Sequence, residues 1–407
     1  MRDVAVIGIG MTRFGKYLEK GIKSLVREAV EETLKDAGIK KEDIEAAYVG
    51  NAAAGLMTGQ EMIRGQVTLS AMGIDMIPIY NVESACASSS SAFNIAWTAV
   101  GAGVYDCVLV VGFEKLYHED KLRSFKALST AADVESYIDF FREAEKHSPT
   151  GDKILSGGAG ETRSIFMDMY GFLTKRFMRK YGLTQEHFAK LAVKAHKYGA
   201  LNPHAQYQKE VTLEEVLKSG DVVYPLTRMM CAPIGDGAAA VLLCAKSKVA
   251  QHTTKPVWVA GSVVGSGKIT FDTDDSLTKR LAPKVYAAAG IGPEDIDVIE
   301  LHDAGSPSEI MFMIELGICP GEDSVKWIEE DYLEVNGQMP SNLSGGLTTK
   351  GHPVGATGCG MIYEIIQQLR GEAGKRQVRN PKVGMIHNGG GVIGIDASSM
   401  VLNILKR

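Results

Sequence analysis

Several features that mark specialised classes of protein are missing from this chain of 407 residues. No apolar run reaches the roughly 18 residues that a transmembrane helix needs, and the opening stretch MRDVAVIGIG is too short and too strand-like for a secretory signal. The net charge of −5 gives no basic surface for nucleic acid. The final Leu-Lys-Arg differs from the Ser-Lys-Leu peroxisomal signal. We therefore expect a cytoplasmic protein that binds neither nucleic acid nor membrane.

Paired cysteines are also missing. The chain has six cysteines and no CxxC pair: Cys86, Cys107, Cys231, Cys244, Cys319 and Cys359. Such spacing argues against a zinc site and against a disulfide framework, so we expect a reduced protein that binds no metal. With 45% hydrophobic and 23% charged residues, the composition is that of an ordinary globular protein. A chain of this length buries a large core and is expected to form two or more domains.

Short apolar runs alternate with amphipathic segments near the start of the chain. The pattern predicts strands at 4–7, 46–50 and 108–112. Between the first two strands it predicts a helix over 24–37 that Gly38 ends. This alternation is typical of an α/β protein.

The alternation stops in the middle of the chain, at about 117–232. That segment is richer in Lys, Arg, Met, Tyr and His, and we predict helices in it at 171–181 and 185–198. The first of these helices carries four basic residues that would suit phosphate groups or, equally well, a solvated helix face: Lys175, Arg176, Arg179 and Lys180.

The second half of the chain repeats the first. Segments 37–44 and 289–296 share the pattern Ala-Gly-Ile-x-x-Glu-Asp-Ile, and a helix, a turn and a strand follow in the same order in both. We infer two copies of one α/β unit, with an insertion in the first. The predicted domains are one half made of 1–116 and 233–254, an inserted domain at 117–232, and a second half at 255–407.

One stretch combines a polar turn, a cysteine and a helix. Cys86 lies in Ser-Ala-Cys-Ala-Ser-Ser at 84–89, and apolar residues at helical spacing follow it. With Ser84 or a neighbouring polar residue as the cap, the thiol would lie at a helix N-terminus, where the macrodipole favours an anion and acidifies a cysteine. We therefore expect Cys86 to be a nucleophile, although most cysteines in such helices are buried core residues.

His352 is the histidine that the duplication relates to Cys86. Glycines surround it in Gly-His-Pro-Val-Gly-Ala-Thr-Gly at 351–358, and they permit tight turns and close backbone approach. Packing alone does not explain why glycines surround this histidine, so we expect His352 to be functional. If the two repeats pack about a pseudo-twofold axis, Cys86 and His352 meet at two helix N-termini.

Two further histidines end predicted strands of the second repeat. His302 occupies a place where a histidine, taken alone, is more often structural than catalytic. His387 precedes the run Gly389-Gly390-Gly391, whose N–H groups are suited to an oxyanion. We expect both side chains to converge with the cysteine.

Together these motifs resemble the thiolase superfamily over nearly the whole chain. The segment 351–358 resembles the family's signature histidine motif, and Cys86 in Ala-Cys-Ala-Ser-Ser resembles its nucleophile. The run HDAG at 302–305 resembles HDCF, and 181–207 is similar to the sterol-carrier-protein-type and archaeal branch. The resemblance implies an α/β protein with the duplicated, five-layered α/β/α/β/α thiolase fold. It also implies that 117–232 is a loop domain that binds CoA.

The resemblance implies thiolytic cleavage of a 3-oxoacyl-CoA through an acyl-Cys86 intermediate. CoA would be the co-substrate, and no prosthetic group would be needed. His352 would activate the thiol, and His302 would help to hold the first oxyanion. The backbone N–H groups of Cys86 and Gly389 would stabilise the second. These residues supply a nucleophile, a base and donors placed where charge develops.

The chain departs from the family at the second acid–base cysteine. Thiolases carry that cysteine in a C-terminal Cys-x-Gly motif or in HDCF, and this chain has His387 and Ala304 at those positions. We hypothesise that His387 transfers the proton instead. The small Ala304 suits a bulky or branched acyl group, as in the benzoylsuccinyl-CoA thiolases of aromatic degradation.

Family members are dimers or dimers of dimers, and the resemblance implies a homodimer core here. Several bacterial and archaeal relatives also work with a small zinc-ribbon/OB-fold partner. Two other functions fit the motifs. A ketosynthase also uses a Cys-His-His set, although the long insertion and GHPVGATG favour a thiolase. A non-catalytic acyl-CoA-binding subunit would account for the missing cysteine.

Overall fold

A computed structural model describes residues 1–146, 153–252, 255–272 and 274–407. The strands are β1 (Val4–Met11), β2 (Ala46–Gly50), β3 (Ile79–Val82), β4 (Cys107–Glu114), β5 (Asp221–Val223), β6 (Leu226–Thr227), β7 (Gly237–Ala245), β8 (Val257–Ser266), β9 (Val298–Leu301), β10 (Val383–Ile393) and β11 (Asp396–Lys406). The α-helices are α1 (Ile22–Ala37), α2 (Ala54–Thr58), α3 (Arg64–Ser70), α4 (Ser88–Gly101), α5 (Lys121–Ser129), α6 (Tyr137–Lys146), α7 (Ile165–Tyr181), α8 (Gln185–Ala200), α9 (Leu213–Leu217), α10 (Lys246–Val249), α11 (Leu277–Ala289), α12 (Pro307–Glu315), α13 (Ser324–Glu329), α14 (Gly346–Lys350) and α15 (Thr357–Arg370).

Nine strands form one mixed sheet in the order β3-β2-β4-β7-β1-β8-β11-β10-β9. The first five of these belong to the first repeat and the last four to the second. The two halves join where β1 and β8 run antiparallel, with Ala5 opposite Trp258 and Val6 opposite Val257. Strand β2 is parallel to β3 and β4, and β9 is parallel to β10. The carboxyl ends of the parallel strands in each half therefore lie at one edge.

The duplication is visible element by element. Helices α1 and α11 both end at a glycine with positive φ, 66° at Gly38 and 62° at Gly290. In each copy a 3₁₀ turn and a strand follow, β2 in the first and β9 in the second. A second 3₁₀ turn then leads into a long helix in each copy, 85–87 before α4 and 354–356 before α15. The two repeats therefore place equivalent residues at equivalent helix starts.

Three main clusters of apolar side chains fill the core between the backbone layers. Helices α4 and α15 lie between the two half-sheets and pack with one face of each, in the cluster that holds Phe93, Val110, Ile362 and Ile386. Helix α1 covers the outer face of the first half-sheet. Helices α11 and α12 cover the outer face of the second. This is the α/β/α/β/α order that the family resemblance implies.

The inserted segment supplies α5 to α9 and the small β5-β6 ribbon. Its longest helix, α7, begins six residues before the predicted start at Gly171. The Ser164 hydroxyl caps α7 by accepting from the Phe166 N–H, and Gly171 lies inside the helix, where an added Cβ would come within 3.2 Å of the Tyr224 carbonyl oxygen. Gly171 therefore serves close packing and not helix initiation.

The predicted domain boundaries stay predictions, and the one after residue 254 falls beside 253–254, outside the described residues. Within the described part of the chain, no helix is both long enough and apolar enough to cross a membrane.

Candidate active site

Cys86 lies in a tight turn before α4. The 3₁₀ turn spans Ala85–Ala87, and Ala85 has the left-handed φ of 48°, which is uncommon for a residue with a Cβ. Ser88 holds the turn: its Oγ accepts from the Ser84 N–H at 3.0 Å and donates to the Ala85 carbonyl at 2.6 Å. The prediction that the Ser84 side chain caps the helix is wrong, because that hydroxyl donates to the Glu83 carbonyl instead. The turn directs the thiol into a cavity.

The glycine run of β10 packs directly against this turn. A Cβ on Gly390 would lie 2.1 Å from the Ser84 carbonyl oxygen and 2.7 Å from the Ala87 nitrogen, so only glycine fits there. A backbone N–H of Gly391 hydrogen-bonds the Cys86 sulfur. Gly389, the predicted oxyanion residue, also lines the cavity. Its role in binding an oxyanion stays a prediction.

The structure brings Cys86 together with His302 and His352. The Cys86 sulfur and one ring nitrogen of each histidine all lie within 4.8 Å of one another. The two imidazoles meet edge to face, with ring centroids 5.0 Å apart. His302 follows β9, and His352 precedes the 3₁₀ turn that the duplication relates to the turn of Cys86. A thiol and two imidazoles at this spacing are also a ligand set for a soft metal ion such as Zn²⁺.

A hydroxyl on α15 fixes the tautomer of His352. The Nδ1 atom of His352 lies 2.7 Å from Thr357 Oγ1, and that hydroxyl donates its single hydrogen to the Pro353 carbonyl oxygen at 3.2 Å. We assign the hydrogen of the neutral ring to Nδ1, which then donates to Thr357 while Thr357 donates to Pro353. The other nitrogen, Nε2, keeps its lone pair and is available as a base.

An amide on β10 fixes the opposite tautomer of His302. The Asn388 amide nitrogen donates to His302 Nδ1 at 2.9 Å, and the Asn388 amide oxygen accepts from the Ser90 hydroxyl at 2.8 Å. His302 Nδ1 thus holds the lone pair, and Nε2–H is a fixed hydrogen-bond donor. Sequence reasoning missed Asn388 and Thr357. Both lie inside motifs already recognised, Asn388 beside His387 and Thr357 five residues after His352.

The cluster is uncharged in its resting state. Burial raises the pKa of the Cys86 thiol to about 12, with a further rise from the Glu114 carboxylate, so the predicted acidic thiol is wrong. Loss of hydration outweighs the Gly391 N–H, which favours the thiolate. Burial also lowers the pKa of His302 to about 4, and it lowers that of His352 well below the ordinary value. A neutral thiol therefore lies beside a neutral imidazole base.

His387 does not join this cluster. It is fully buried, and it is not among the described residues that line the cavity. Because side chains alternate along a strand, Asn388 faces α4 and His387 faces α11 and α12. There its Nε2 lies 3.0 Å from Thr278 Oγ1, and its ring centroid lies 4.1 Å from that of Phe312, with the two ring planes tilted by 37°.

The four basic residues predicted to bind phosphates also lie elsewhere. Helix α7 turns Tyr170, Leu173 and Phe177 towards the cavity, at the spacing of one helix face. Among the described residues, the predicted set of Lys175, Arg176, Arg179 and Lys180 contributes nothing to the lining, and Arg176 and Lys180 pair with Asp274. The basic side chains that do line it are Lys16, Lys121, Arg163, Lys209 and Arg228.

The cavity beside the cluster is large, with a volume of about 760 Å³. Ala304 lies in its wall next to His302, at the position where the sequence predicts added space. Much of the remaining wall is apolar and comes from α7, α12 and β11: Phe166, Met169, Tyr170, Leu173, Phe177, Met311, Phe312 and Met400.

Comparison with known families agrees with this geometry. Residues 4–247 match the family model described as thiolase, N-terminal domain, and residues 271–404 match thiolase C-terminal domain-like. The chain belongs to the thiolase family.

The relatives of this thiolase place it in the sterol-carrier-protein-type and archaeal branch. It is 37% identical over 402 residues to an acetyl-CoA acetyltransferase of Methanothermobacter thermautotrophicus, with 98% of each chain covered. It is 35% identical to sterol carrier protein 2 of Bos taurus, covering 96% of this chain and 71% of that protein. These relationships make the protein an acyltransferase.

Solved structures agree on the thiolase fold. The human mitochondrial 3-ketoacyl-CoA thiolase superposes with a TM-score of 0.71 at 17% identity, covering 100% of this thiolase and 98% of that chain. A structure described as the Ltp2-ChsH2(DUF35) aldolase superposes with a TM-score of 0.77 at 21% identity, covering 99% and 97% of the two chains.

Proposed function

We propose that this thiolase cleaves a 3-oxoacyl-CoA by thiolysis, with CoA as the second substrate. The observation that carries the proposal is the cluster of Cys86 with His302 and His352, whose hydrogen-bond partners lead us to assign opposite tautomers to the two histidines. His352 offers a lone pair to the thiol, and His302 offers an N–H to an oxygen that gains negative charge. A nucleophile, a base and an oxyanion donor are the groups that an acyl transfer needs.

The first half-reaction transfers the acyl group to sulfur. His352 Nε2 takes the thiol proton as Cys86 Sγ attacks C3 of the substrate, because a thiol of pKa about 12 is not ionised beforehand. The bond between C2 and C3 breaks, which leaves an acyl-Cys86 thioester and an enolate of the shortened CoA thioester. His302 Nε2–H stabilises the enolate oxygen. In the second half-reaction the thiol of CoA attacks the acyl group and releases Cys86.

The shape of the cavity favours a bulky or branched acyl group. Ala304 leaves room beside the bond that breaks, and aromatic and methionine side chains line the adjacent space. An aryl 3-oxoacyl-CoA of the benzoylsuccinyl-CoA kind fits this description. The phosphates of CoA suit Lys209 and Arg228, which are basic residues at an exposed part of the wall.

A panel of linear, branched and aryl 3-oxoacyl-CoA esters tests this proposal. Each ester is incubated with CoA and either the wild type or Cys86→Ser, and both CoA products are quantified by mass spectrometry. We expect the wild type to release two CoA thioesters, fastest from aryl or branched esters. Equal turnover by Cys86→Ser would contradict the assigned nucleophile.

We further propose a homodimer. Strand β3 lies at the edge of the nine-stranded sheet, with no further strand beside it among the described residues, and Tyr80 on it is 46% exposed. Met76, just before β3, is 98% exposed, as expected for a residue that a second copy covers. Light scattering should show twice the chain mass, and Tyr80→Lys, which places a charge on the edge, should give monomers. An unchanged mass for Tyr80→Lys would contradict pairing through β3.

A small partner of the zinc-ribbon/OB-fold kind is also proposed. It is supported by the similar structure whose description pairs Ltp2 with a DUF35 protein.

We also propose that the protein works in a reducing compartment such as the cytoplasm, because its six cysteines are all free thiols.

A ketosynthase remains the second candidate, because a cysteine and two histidines make up the cluster and His387 lies outside it. Malonyl-CoA separates the two functions. A ketosynthase decarboxylates it and condenses the product with the acyl group on Cys86, whereas a thiolase leaves it intact.

A further inference from the structure

Two cysteines outside the catalytic cluster face each other across neighbouring strands. Strands β4 and β7 run antiparallel, and their register places Cys107 directly opposite Cys244. Both thiols are free; Cys107 is 7% exposed and Cys244 is fully buried. The side chains of directly opposed residues leave the sheet on the same face, and both cysteines belong to the apolar cluster that α1 covers. The pair takes no part in the proposed thiolysis.

The hydrogen bonds of the sheet show which kind of pair this is. One residue further along the same register, the Ala245 N–H donates to the Asp106 carbonyl oxygen at 2.8 Å, so those two residues form a hydrogen-bonded pair. The two kinds of pair alternate along antiparallel strands, which makes Cys107 and Cys244 a non-hydrogen-bonded pair. The Cys107 carbonyl agrees, because it points away from β7 and accepts from the Glu45 N–H at 3.0 Å.

This kind of pair suits a disulfide. Its Cα atoms lie about 4.5 Å apart, compared with about 5.5 Å in a hydrogen-bonded pair. Disulfides span Cα separations of about 4.4–6.8 Å, so the register itself permits the bond. Burial raises the pKa of Cys107, and the neighbouring Cys244 adds to the rise, as expected for two sulfur atoms close together. The Cys244 thiol donates to the Ala245 carbonyl oxygen at 3.4 Å, and rotation about its Cα–Cβ bond releases that weak contact.

We propose that Cys107 and Cys244 form a reversible disulfide when hydrogen peroxide oxidises them. The peroxide converts the thiol of Cys107, the more exposed of the two, to a sulfenic acid and leaves one water molecule. The Cys244 sulfur then attacks the Cys107 sulfur, and the hydroxyl group leaves with the Cys244 hydrogen as a second water. Two thiols are oxidised to one disulfide and one peroxide is reduced to two waters. A dithiol reductant reverses the step by thiol–disulfide exchange.

The bond fastens the sheet at the end opposite to the active site. Cys107 begins β4 and Glu114 ends it, about 23 Å further along the strand. Glu114 is the residue that accepts from the Gly355 N–H of the second repeat. The disulfide closes a loop that contains the whole inserted segment at 117–232, which restricts the unfolded chain. Oxidation therefore stabilises the fold and leaves the catalytic cluster in place.

Burial makes this oxidation slow at neutral pH. The thiolate is the form that reacts with peroxide. Burial raises the pKa of Cys244 to about 11, and the pKa of Cys107 is raised as well. Few of these thiols are ionised at pH 7, so the rate of disulfide formation increases as the pH rises from 7 to 9.

Peptide mapping of the wild type tests the bond. The intact enzyme is treated with hydrogen peroxide at pH 7 and pH 9, its remaining thiols are alkylated, and it is digested without reductant. Trypsin would leave Cys86 and Cys107 on one peptide, so chymotrypsin is used, which cuts after Trp97 and Tyr105 between them. We expect linked peptides that hold Cys107 and Cys244, with a higher yield at pH 9 and none after dithiothreitol.

Thermal unfolding tests the effect of the bond. We expect peroxide to raise the Tm of the wild type by at least about 3 °C and dithiothreitol to reverse the rise. Cys244→Ala should show neither the linked peptides nor the rise. Cys319→Ala is the matched control, because it removes another buried thiol, and it should respond as the wild type does.

Free Cys107 and Cys244 after peroxide treatment at both pH values would overturn the proposal, as would linked peptides that appear only in denaturant. A linked wild type whose Tm does not rise, or an equal rise in Cys244→Ala, would overturn the stabilising effect. Cys86 lines the cavity and is itself a target for peroxide, so turnover is not a readout. The result therefore stands whether or not the proposed thiolysis is correct.

Discussion

At the scale of single residues, the site depends on two groups that place the hydrogens of its histidines. Thr357 makes His352 a base, and Asn388 makes His302 a donor. Without these partners each imidazole would divide its population between two tautomers, of which one is inactive in its role. His352 and His302 have identical side chains, and they take different roles because their hydrogen-bond partners differ.

Thr357→Val tests this division directly. Valine keeps the shape of threonine and removes the oxygen that accepts from His352 Nδ1–H, so His352 loses the preference for a lone pair on Nε2. We expect kcat/KM for thiolysis to fall about 10- to 100-fold, as for other groups that orient a catalytic histidine. The rate at which iodoacetamide alkylates Cys86 should fall with it.

Thr357→Ser is the matched control, because serine retains the hydroxyl, and it should stay within about fivefold of wild type. Equal rates for the valine and serine variants would contradict the tautomer argument.

The sequence predicted the residues of this cluster better than their protonation. Cys86, His302 and His352 meet as the motifs and the duplication indicate. The acidic thiol was wrong because a sequence shows the helix N-terminus and not the depth of the pocket around it, and burial dominates here. The contribution of Asn388 depends on which face of β10 it occupies, and that follows only from the register of the sheet.

At the scale of elements, the nucleophile depends on contact between a turn and a strand from different repeats. The turn at 85–87 holds Ala85 at a positive φ, and the glycine run of β10 closes over it. The left-handed residue stores strain that the surrounding contacts must hold in place. The glycines of β10 therefore serve close approach first, and the Gly391 N–H reaches the sulfur as a consequence.

Gly390→Ala should disrupt this contact. Its Cβ would overlap the Ser84 carbonyl, which is backbone and cannot move without shifting the turn. We expect acylation of Cys86 to slow at least 100-fold and the free energy of unfolding to fall by about 1–3 kcal/mol, measured by urea denaturation. Gly21→Ala is the control, since Gly21 has no neighbour within 4 Å and a φ of −88°. A Gly390→Ala enzyme that acylates normally would show that the turn tolerates displacement.

Element positions were predicted well where apolar runs are buried on both faces, as in β2 and β4. The phosphate-binding prediction on α7 stays a prediction, although none of its four described residues lines the cavity. Charge density along the sequence suggested a ligand, but the helix turns its apolar stripe at 170, 173 and 177 to the cavity. A helical-wheel projection of this segment is enough to show that apolar stripe from the sequence alone.

At the scale of the whole molecule, the two repeats are held together by buried polar groups as well as by the sheet. The Glu114 carboxylate accepts from the Ala53 N–H of the first repeat and from the Gly355 N–H of the second, at 3.1 and 3.0 Å. Asp303, beside His302, accepts from the Leu347 N–H at 2.7 Å. The duplication predicted that the halves meet at the active site, and Glu114 bridges that junction, whereas Asp303 and Leu347 both belong to the second repeat.

Asp303 makes stability depend on pH. Burial, with Glu309 and Glu300 nearby, raises its pKa from 3.8 to about 8. In the folded protein it stays protonated up to about pH 8, and in the unfolded chain it ionises near pH 4, so this group destabilises the fold increasingly as pH rises from 4 to 8. Asp303→Asn imitates the protonated form. We expect the Tm of the variant to rise relative to that of the wild type as pH increases from 5 to 9, and a constant difference across this range would contradict the raised pKa.

The most direct test of the central claim is the intact mass of the protein after a single turnover. The enzyme is mixed with a 3-oxoacyl-CoA in the absence of free CoA, and its mass is measured before and after CoA is added. The account predicts an acyl adduct on Cys86 that CoA discharges, and no adduct on Cys86→Ser. An adduct that CoA leaves in place and malonyl-CoA discharges with loss of CO₂ would contradict the account and indicate a ketosynthase. A wild type that forms no adduct with any ester would indicate a non-catalytic acyl-CoA-binding subunit.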